Sequence, residues 1–187
     1  GDFTTLKYFL RKALSASADF GKTATKARLL FQAGASDAWG WGVLEPDEAK
    51  SCVEESLEIW RELDHITLQE QAQCLLALGW IQKGDLSEVR RFDALHESIN
   101  IFRKTGSTWW HAWALNTYVM MIWDTKDHST ILEILLEEIS LWRKTGDRWG
   151  LAMPIYDLGT LALKYGDFHA AQQYLLQSLE IYKELGS

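Results

Sequence analysis

The stretch Gln177-Ser178-Leu179-Glu180-Ile181-Tyr182-Lys183-Glu184-Leu185-Gly186 decides the fold, because the chain writes it four times. It stands also as Glu55-Ser56-Leu57-Glu58-Ile59-Trp60-Arg61-Glu62-Leu63-Asp64, and as Glu97-Ser98-Ile99-Asn100-Ile101-Phe102-Arg103-Lys104-Thr105-Gly106. The remaining copy is Glu137-Glu138-Ile139-Ser140-Leu141-Trp142-Arg143-Lys144-Thr145-Gly146. Self-similarity at a period of about 20 to 50 residues marks an array in which each unit buries its apolar face against its neighbours. Upstream of and within the phrase, apolar residues step by three and four, as in Phe168, Ala171, Leu175, Leu179 and Tyr182, or Ile131, Leu135, Ile139 and Trp142. That is the period of one helical face, and nothing alternates with period two over a useful length. The sequence therefore predicts an all-α array.

Each copy divides into a first helix, A, and a second, B. B opens after Gly84-Asp85, Lys126-Asp127 or Gly166-Asp167, where an aspartate can accept from the free N–H groups of the first turn. B closes at Gly106, Gly146 and Gly186, where a left-handed residue favours glycine. Thr67-Leu68-Gln69-Glu70 reads as a capping box, and Pro46 suits the first position of a B helix. Residues 1–21 match a B helix without its A partner, and four full units follow at 22–64, 65–106, 107–146 and 147–186. About nine helices result. The half unit at the start and the apolar last B helix imply an array longer than this chain, since terminal units ordinarily carry a polar outer face.

Composition sets limits on function. Among 187 residues, 26 Asp and Glu outnumber 19 Lys and Arg, for a formal charge of −7. A phosphate-tracking surface needs the opposite balance, so nucleic-acid binding by this segment is not expected. No apolar run reaches the length of a membrane span and no signal-peptide pattern opens the chain, which predicts a cytoplasmic protein. Two cysteines, Cys52 and Cys74, read as free thiols of a reducing compartment. The five histidines form no metal-ligand spacing, and His65, His128 and His169 fall at helix starts or turns. Carboxylates such as Glu54-Glu55 and Glu137-Glu138 read as solubilising charge on helix faces. No catalytic residues, no metal and no cofactor are expected, and the chain does not read as an enzyme.

Small residues at the A–B crossing, Gly159 with Ala171 and Gly34 with Ala49, together with Leu158-Gly159 and Gly166-Asp167-Phe168, resemble tetratricopeptide repeats. The period is about 40 residues here against 34 in that motif, and the proline near the end of B is absent. Crossing positions are larger in the middle copies, Ala77 with Val89 and Val119 with Ile131, which predicts wider helix spacing there. The long variant, in which the Ser-Leu-Glu-Ile-Tyr-Lys-Glu-Leu-Gly phrase joins an Asp-Arg-Trp-Gly-Leu-Ala turn, is similar to the sensor arrays of bacterial signal-transduction ATPases of the STAND class. The resemblance implies a right-handed superhelix of antiparallel helix pairs with the A helices lining its concave face. It also implies that a switch domain neighbours the array in a longer chain. No P-loop is present, so any ATPase lies outside this segment.

On that frame the inward positions of the third A helix are Trp113, Asn116, Met120 and Trp123, followed by Asp124, a stripe about 15 Å long at 1.5 Å per residue. The fourth offers Met153, Tyr156, Thr160, Leu163 and Lys164. The second offers Gln71, Cys74, Leu78, Ile81 and Gln82, and the first Arg28, Phe31, Ala35, Ala38 and Trp39. Candidate ligand contacts are thus Trp113, Asn116, Met120, Trp123, Asp124, Tyr156, Lys164, Gln71, Phe31 and Trp39. An apolar, aromatic groove with a few separated polar groups suits a small molecule or a peptide.

Ten tryptophans sharpen the choice. Trp60 and Trp142 stand where Phe102 and Tyr182 stand, and Trp109 and Trp149 are equivalent to each other, so these four are expected in the core. Trp113 and Trp123 have no counterpart in other copies, and large aromatics serve binding and packing alike. Two functions fit. One is a sensor module of a larger bacterial regulator, taking a small effector in the groove and biasing its switch domain. The other is a scaffold that binds a peptide or a protein subunit.

Overall fold

The computed structural model describes residues 3–38, 44–63, 68–81, 87–125 and 127–186. Among them every regular element is helical. The order is α1 (Phe3–Ala16), a 3-10 turn (Ala18–Phe20), α2 (Ala24–Ala38), α3 (Pro46–Glu62), α4 (Leu68–Trp80), α5 (Glu88–Thr105), α6 (Thr108–Ile122), α7 (His128–Thr145), α8 (Arg148–Lys164) and α9 (Phe168–Glu184). The chain forms two compact units, Gly1–Thr105 and Gly106–Ser187. The fold is all-α and tetratricopeptide-like.

Local chemistry explains the helix ends. Asp127, Asp147 and Asp167 each precede a helix and accept from the backbone N–H three residues on, of Thr130 (3.0 Å), Gly150 (2.9 Å) and Ala170 (3.0 Å). At Asp127 the Ser129 hydroxyl, then the N–H and hydroxyl of Thr130, hold the carboxyl well below the usual carboxylate range. Gly146 closes α7 in the left-handed region at φ 72°, its N–H bonded to the Trp142 carbonyl. Pro46 is at the start of α3. Gly1, Asp2, Thr67, Gly84, Asp85 and Lys126 lie outside the described residues, so the caps expected there do too.

In the first unit, α2 pairs with α3 and α4 with α5. Gly34 lets α2 approach α3 so closely that an added Cβ would stand 2.4 Å from the Ala49 carbonyl oxygen. In the second pair the crossing falls at Gly79, whose missing Cβ faces Leu95 at 3.3 Å, and not at Ala77 with Val89. Val89 is 68% exposed. The Arg91 guanidinium locks the shifted register by donating to the Gly79 carbonyl at 3.2 Å through both Nε and a terminal nitrogen. Aligning on Gly79 makes Ala72 the counterpart of Ala27, Ala112 and Ala152, and all four are fully buried. The inward register of α4 is therefore displaced by two residues from the sequence expectation.

In the second unit, α6 pairs with α7, α7 with α8, and α8 with α9. Trp142 is 1% exposed and lies flat against α8 where Gly150 has no side chain; a Cβ there would meet the indole at 2.5 Å. Serines tie B helices to A helices in both units: Ser56 Oγ donates to the Ala27 carbonyl (2.7 Å) and Ser178 Oγ to the Ala152 carbonyl (2.9 Å). The equivalent position in α7 is Glu138.

Trp60 and Trp142 are core, as their recurrence implies. Trp109 and Trp149 are not: they are 39% and 45% exposed. Their equivalence reflects a shared place in an aromatic cluster at the start of α6 and α8. Trp109 meets Trp142 edge-on at 5.9 Å, and Trp113 meets Trp142 at 6.0 Å and Trp149 at 5.9 Å. Each ring is half covered by the others, which is enough to explain the repeat without burial.

Candidate functional site

In the second unit α6 and α8 lie side by side against α7, joined at both ends. At one end Trp113 packs on Trp149. At the other, Lys164 Nζ donates to the Trp123 carbonyl (3.0 Å) and to Asp124 Oδ1 (3.1 Å), and sits 5.9 Å from the Trp123 ring. A lysine there completes the carbonyls that the end of α6 leaves open, and its charge suits the negative end of the helix. Lys164, Asp124 and Trp123 thus serve one another.

Between these ends the strip offers Met120, 50% exposed, from α6, and Tyr156, 51% exposed, from α8. Trp113 is half-buried, yet its Nε1 is fully enclosed and has no hydrogen-bond partner among the described residues. Asn116, one turn on, is buried. It faces Glu138, which α7 brings up from below.

Glu138 is fully buried. Its Oε1 accepts from Trp142 Nε1 at 3.0 Å, while Oε2 makes no well-formed hydrogen bond. Burial pushes the carboxyl up to about 8, and the nearby Asp157 carboxyl adds to the rise. The Trp142 indole and the Asn116 amide oppose it without prevailing. Asp157, on α8 and partly buried, is itself pushed up to about 6 by burial. At neutral pH the enclosed group is therefore largely a carboxylic acid, able to donate as well as accept. Asn116 of α6 and Asp157 of α8 thus both act on the buried Glu138 of α7, on the two helices that expose Met120 and Tyr156.

The sequence placed Trp113, Asn116, Met120, Tyr156, Trp123, Asp124 and Lys164 along α6 and α8, and the structure brings these together in one unit. It does not bring Gln71 and Phe31 to a comparable open face. Gln71 turns toward α3, its Nε2 donating to the Trp60 carbonyl at 3.3 Å, as the two-residue displacement of α4 requires. Phe31 is buried among α2, α3 and α4 side chains. Cys74 is likewise buried, 3.4 Å from Ser56 Oγ, its thiol pushed up to about 12 by burial. Trp39 and Gln82 lie outside the described residues.

The expectation that Glu137-Glu138 is solubilising charge fails at Glu138, which is fully buried, and nothing in the repeat pattern points to Asp157. A signal was available: Ser56, Ser98 and Ser178 occupy the position where this copy alone has glutamate. A repeat that replaces its small structural serine with a carboxyl does so against its own packing.

Among the described residues no group of three or more His, Cys, Asp or Glu is placed to hold a metal ion. No helix there is long and apolar enough to cross a membrane. Residues 110–184 match the tetratricopeptide repeat family, a stretch running from α6 through α9. No curated protein is similar to the chain at a significant level. Tetratricopeptide repeats in general mediate protein–protein interaction.

Proposed function

We propose that the chain is the recognition module of a larger regulatory protein, without enzymatic activity of its own, and that it reads its partner along the α6–α8 strip. The observation that carries this reading is that Asn116 and Asp157, on the two helices that expose Met120 and Tyr156, both act on the buried carboxyl of Glu138. The other copies fold with serine where Glu138 stands, so the fold does not require the carboxyl. Buried polar groups persist at such a cost where they confer specificity, and a strip of aromatic and methionine side chains supplies adaptable contact area.

On this reading the ligand is a small effector or a peptide that presents an apolar edge to Met120 and Tyr156. The module acts as a sensor to the extent that the ligand binds two arrangements of α6 and α8 with different affinity. Its place would be the cytoplasm, next to a switch domain of the same longer chain, as the likeness to bacterial signal-transduction ATPases suggests.

Titrating candidate effectors and peptides while following tryptophan emission tests it, because Trp113 and Trp149 pack together at one end of the strip. Met120→Ala and Tyr156→Ala alter exposed side chains and leave the core intact. If both leave the affinity of a proven ligand unchanged, the strip is not the site.

A second reading, a scaffold for subunit association, is favoured by α9. Its outer face leaves Phe168, Leu176 and Leu179 exposed. Sedimentation across a range of concentrations distinguishes the two, since a scaffold of this kind associates and a monomeric sensor does not.

A further inference from the structure

The first unit carries a second surface, on the B-helix side, that the α6–α8 reading does not use. Helices α3, α4 and α5 enclose an open trough of about 530 Å³. Its floor is apolar: Leu57 from α3, Leu75 and Leu78 from α4, and Ala94 from α5. Its walls are acidic. Glu54, Glu58 and Glu62 stand at successive four-residue steps on α3, so their carboxylates rise about 6 Å apart along one edge. Asp93 and Glu97 repeat the four-residue step on α5.

Five carboxylates thus face two guanidiniums, Arg61 and Arg90. Arg61 is taken by Glu97 at 3.4 Å. Among the described residues Glu54 and Asp93 pair with no cation. The chain already shows what this row accepts: Lys22 Nζ sits between Glu58 Oε1 (3.1 Å) and Glu62 Oε1 (2.5 Å). Hydrogen bonds to Glu62 and then Glu58 raise the lysine above its ordinary value. Both carboxylates are half exposed, so a second cation can approach the row one turn toward Glu54 without displacing Lys22.

We propose that this trough docks a short basic, amphipathic segment of a partner protein, its Lys or Arg heads on the Glu54 and Asp93 walls and its apolar side chains on the Leu57–Leu78 floor. Charge complementarity selects the partner's sign. The apolar floor distinguishes a peptide from a small polycation, because an ammonium chain without apolar branches gains nothing from leucine. Long basic side chains fit both demands, since their methylene stems cover apolar surface while their heads stay at the rim.

The test is fluorescence anisotropy of a labelled peptide with Lys and Leu at alternating three- and four-residue steps, titrated with the intact chain. Binding should weaken at least tenfold with Glu54→Lys combined with Asp93→Lys, two exposed positions where circular dichroism will confirm an unchanged fold. It should also weaken with Ala in place of the peptide's Leu, and disappear with Glu in place of its Lys. Equal binding by wild type and the double variant overturns the assignment. So does full competition by spermidine at matched charge, which would reduce the trough to a general cation sink. Because neither substitution touches α6 or α8, failure here leaves the α6–α8 reading standing, and failure there leaves this one.

Discussion

Replacing Glu138 by glutamine should make the protein more stable at neutral and alkaline pH and should remove a pH dependence that the wild type carries. The carboxyl is enclosed by Trp142 of its own helix, Asn116 of α6 and Asp157 of α8, and burial raises it from about 4.5 to about 8. The folded chain then holds a proton that the unfolded chain releases above about pH 4.5, so folding takes up a proton between those two values. Stability is full below pH 4.5 and falls as pH rises toward 8, by about 1.4 kcal/mol per pH unit for one group. From pH 5 to 8 the loss is about 3–4 kcal/mol, since the slope flattens near each end, and that is a large part of the stability of an ordinary domain. Asp157, raised from 3.8 to about 6, contributes a second loss in its own lower window. Tyr182 of α9, raised mainly by burial and then by Asp157, titrates above both. Glutamine keeps the shape and an acceptor for the Trp142 indole, so at pH 5 the variant should unfold within about 1 kcal/mol of wild type. Urea denaturation followed by circular dichroism, from pH 5 to 8.5, reads the difference directly. A wild-type midpoint that is flat or rising over this range means that Glu138 is not held as a buried acid, as does a variant that keeps the wild-type slope.

Three further outcomes follow from the packing. Gly150→Ala drives a Cβ into the ring of Trp142, which sits in a closed core, and should destabilise by about 1–3 kcal/mol, seen as a lowered Tm. Gly146→Ala meets open space, yet its φ of 72° strains any side chain, so a loss of about 1 kcal/mol is expected from backbone conformation alone, with native tryptophan emission preserved. Cys74 is enclosed and its thiol is pushed up to about 12, with Cys52 pushed up to about 11, so a thiol reagent at pH 8 should label Cys74 only as fast as the first unit opens. Labelling of Cys74 at the rate of an exposed thiol would contradict the packing of α3 on α4.

Much of the helix pattern was legible in the chain because it is set within a few residues. An aspartate that caps needs only the N–H three positions on, as at Asp147, and a glycine that closes a helix needs only its own φ, as at Gly146. Errors began where a residue's fate depended on a neighbouring helix. The displacement of α4 hinges on Gly79, which admits Leu95, and on Arg91, which bonds to the glycine carbonyl; counting from the repeated phrase could not weigh either. The same displacement sends Gln71 to α3, while α4 packing on α2 buries Phe31. Trp109 and Trp149 recur because they pack on each other's neighbours, and recurrence does not distinguish a half-covered ring from a buried one.

An all-α array and the helix ends at Asp127, Gly146, Asp147 and Asp167 could be read from the chain alone, since capping, left-handed glycine and helical period are properties of a short segment. That Asn116 and Asp157, from two other helices, act on a fully buried Glu138 emerges only when α6, α7 and α8 pack together. Desolvation is the reason. A carboxylate beside Glu137 on a helix looks like solvated charge until Trp142, Asn116 and α8 close around it, and the free energy of that closure exists in no single segment.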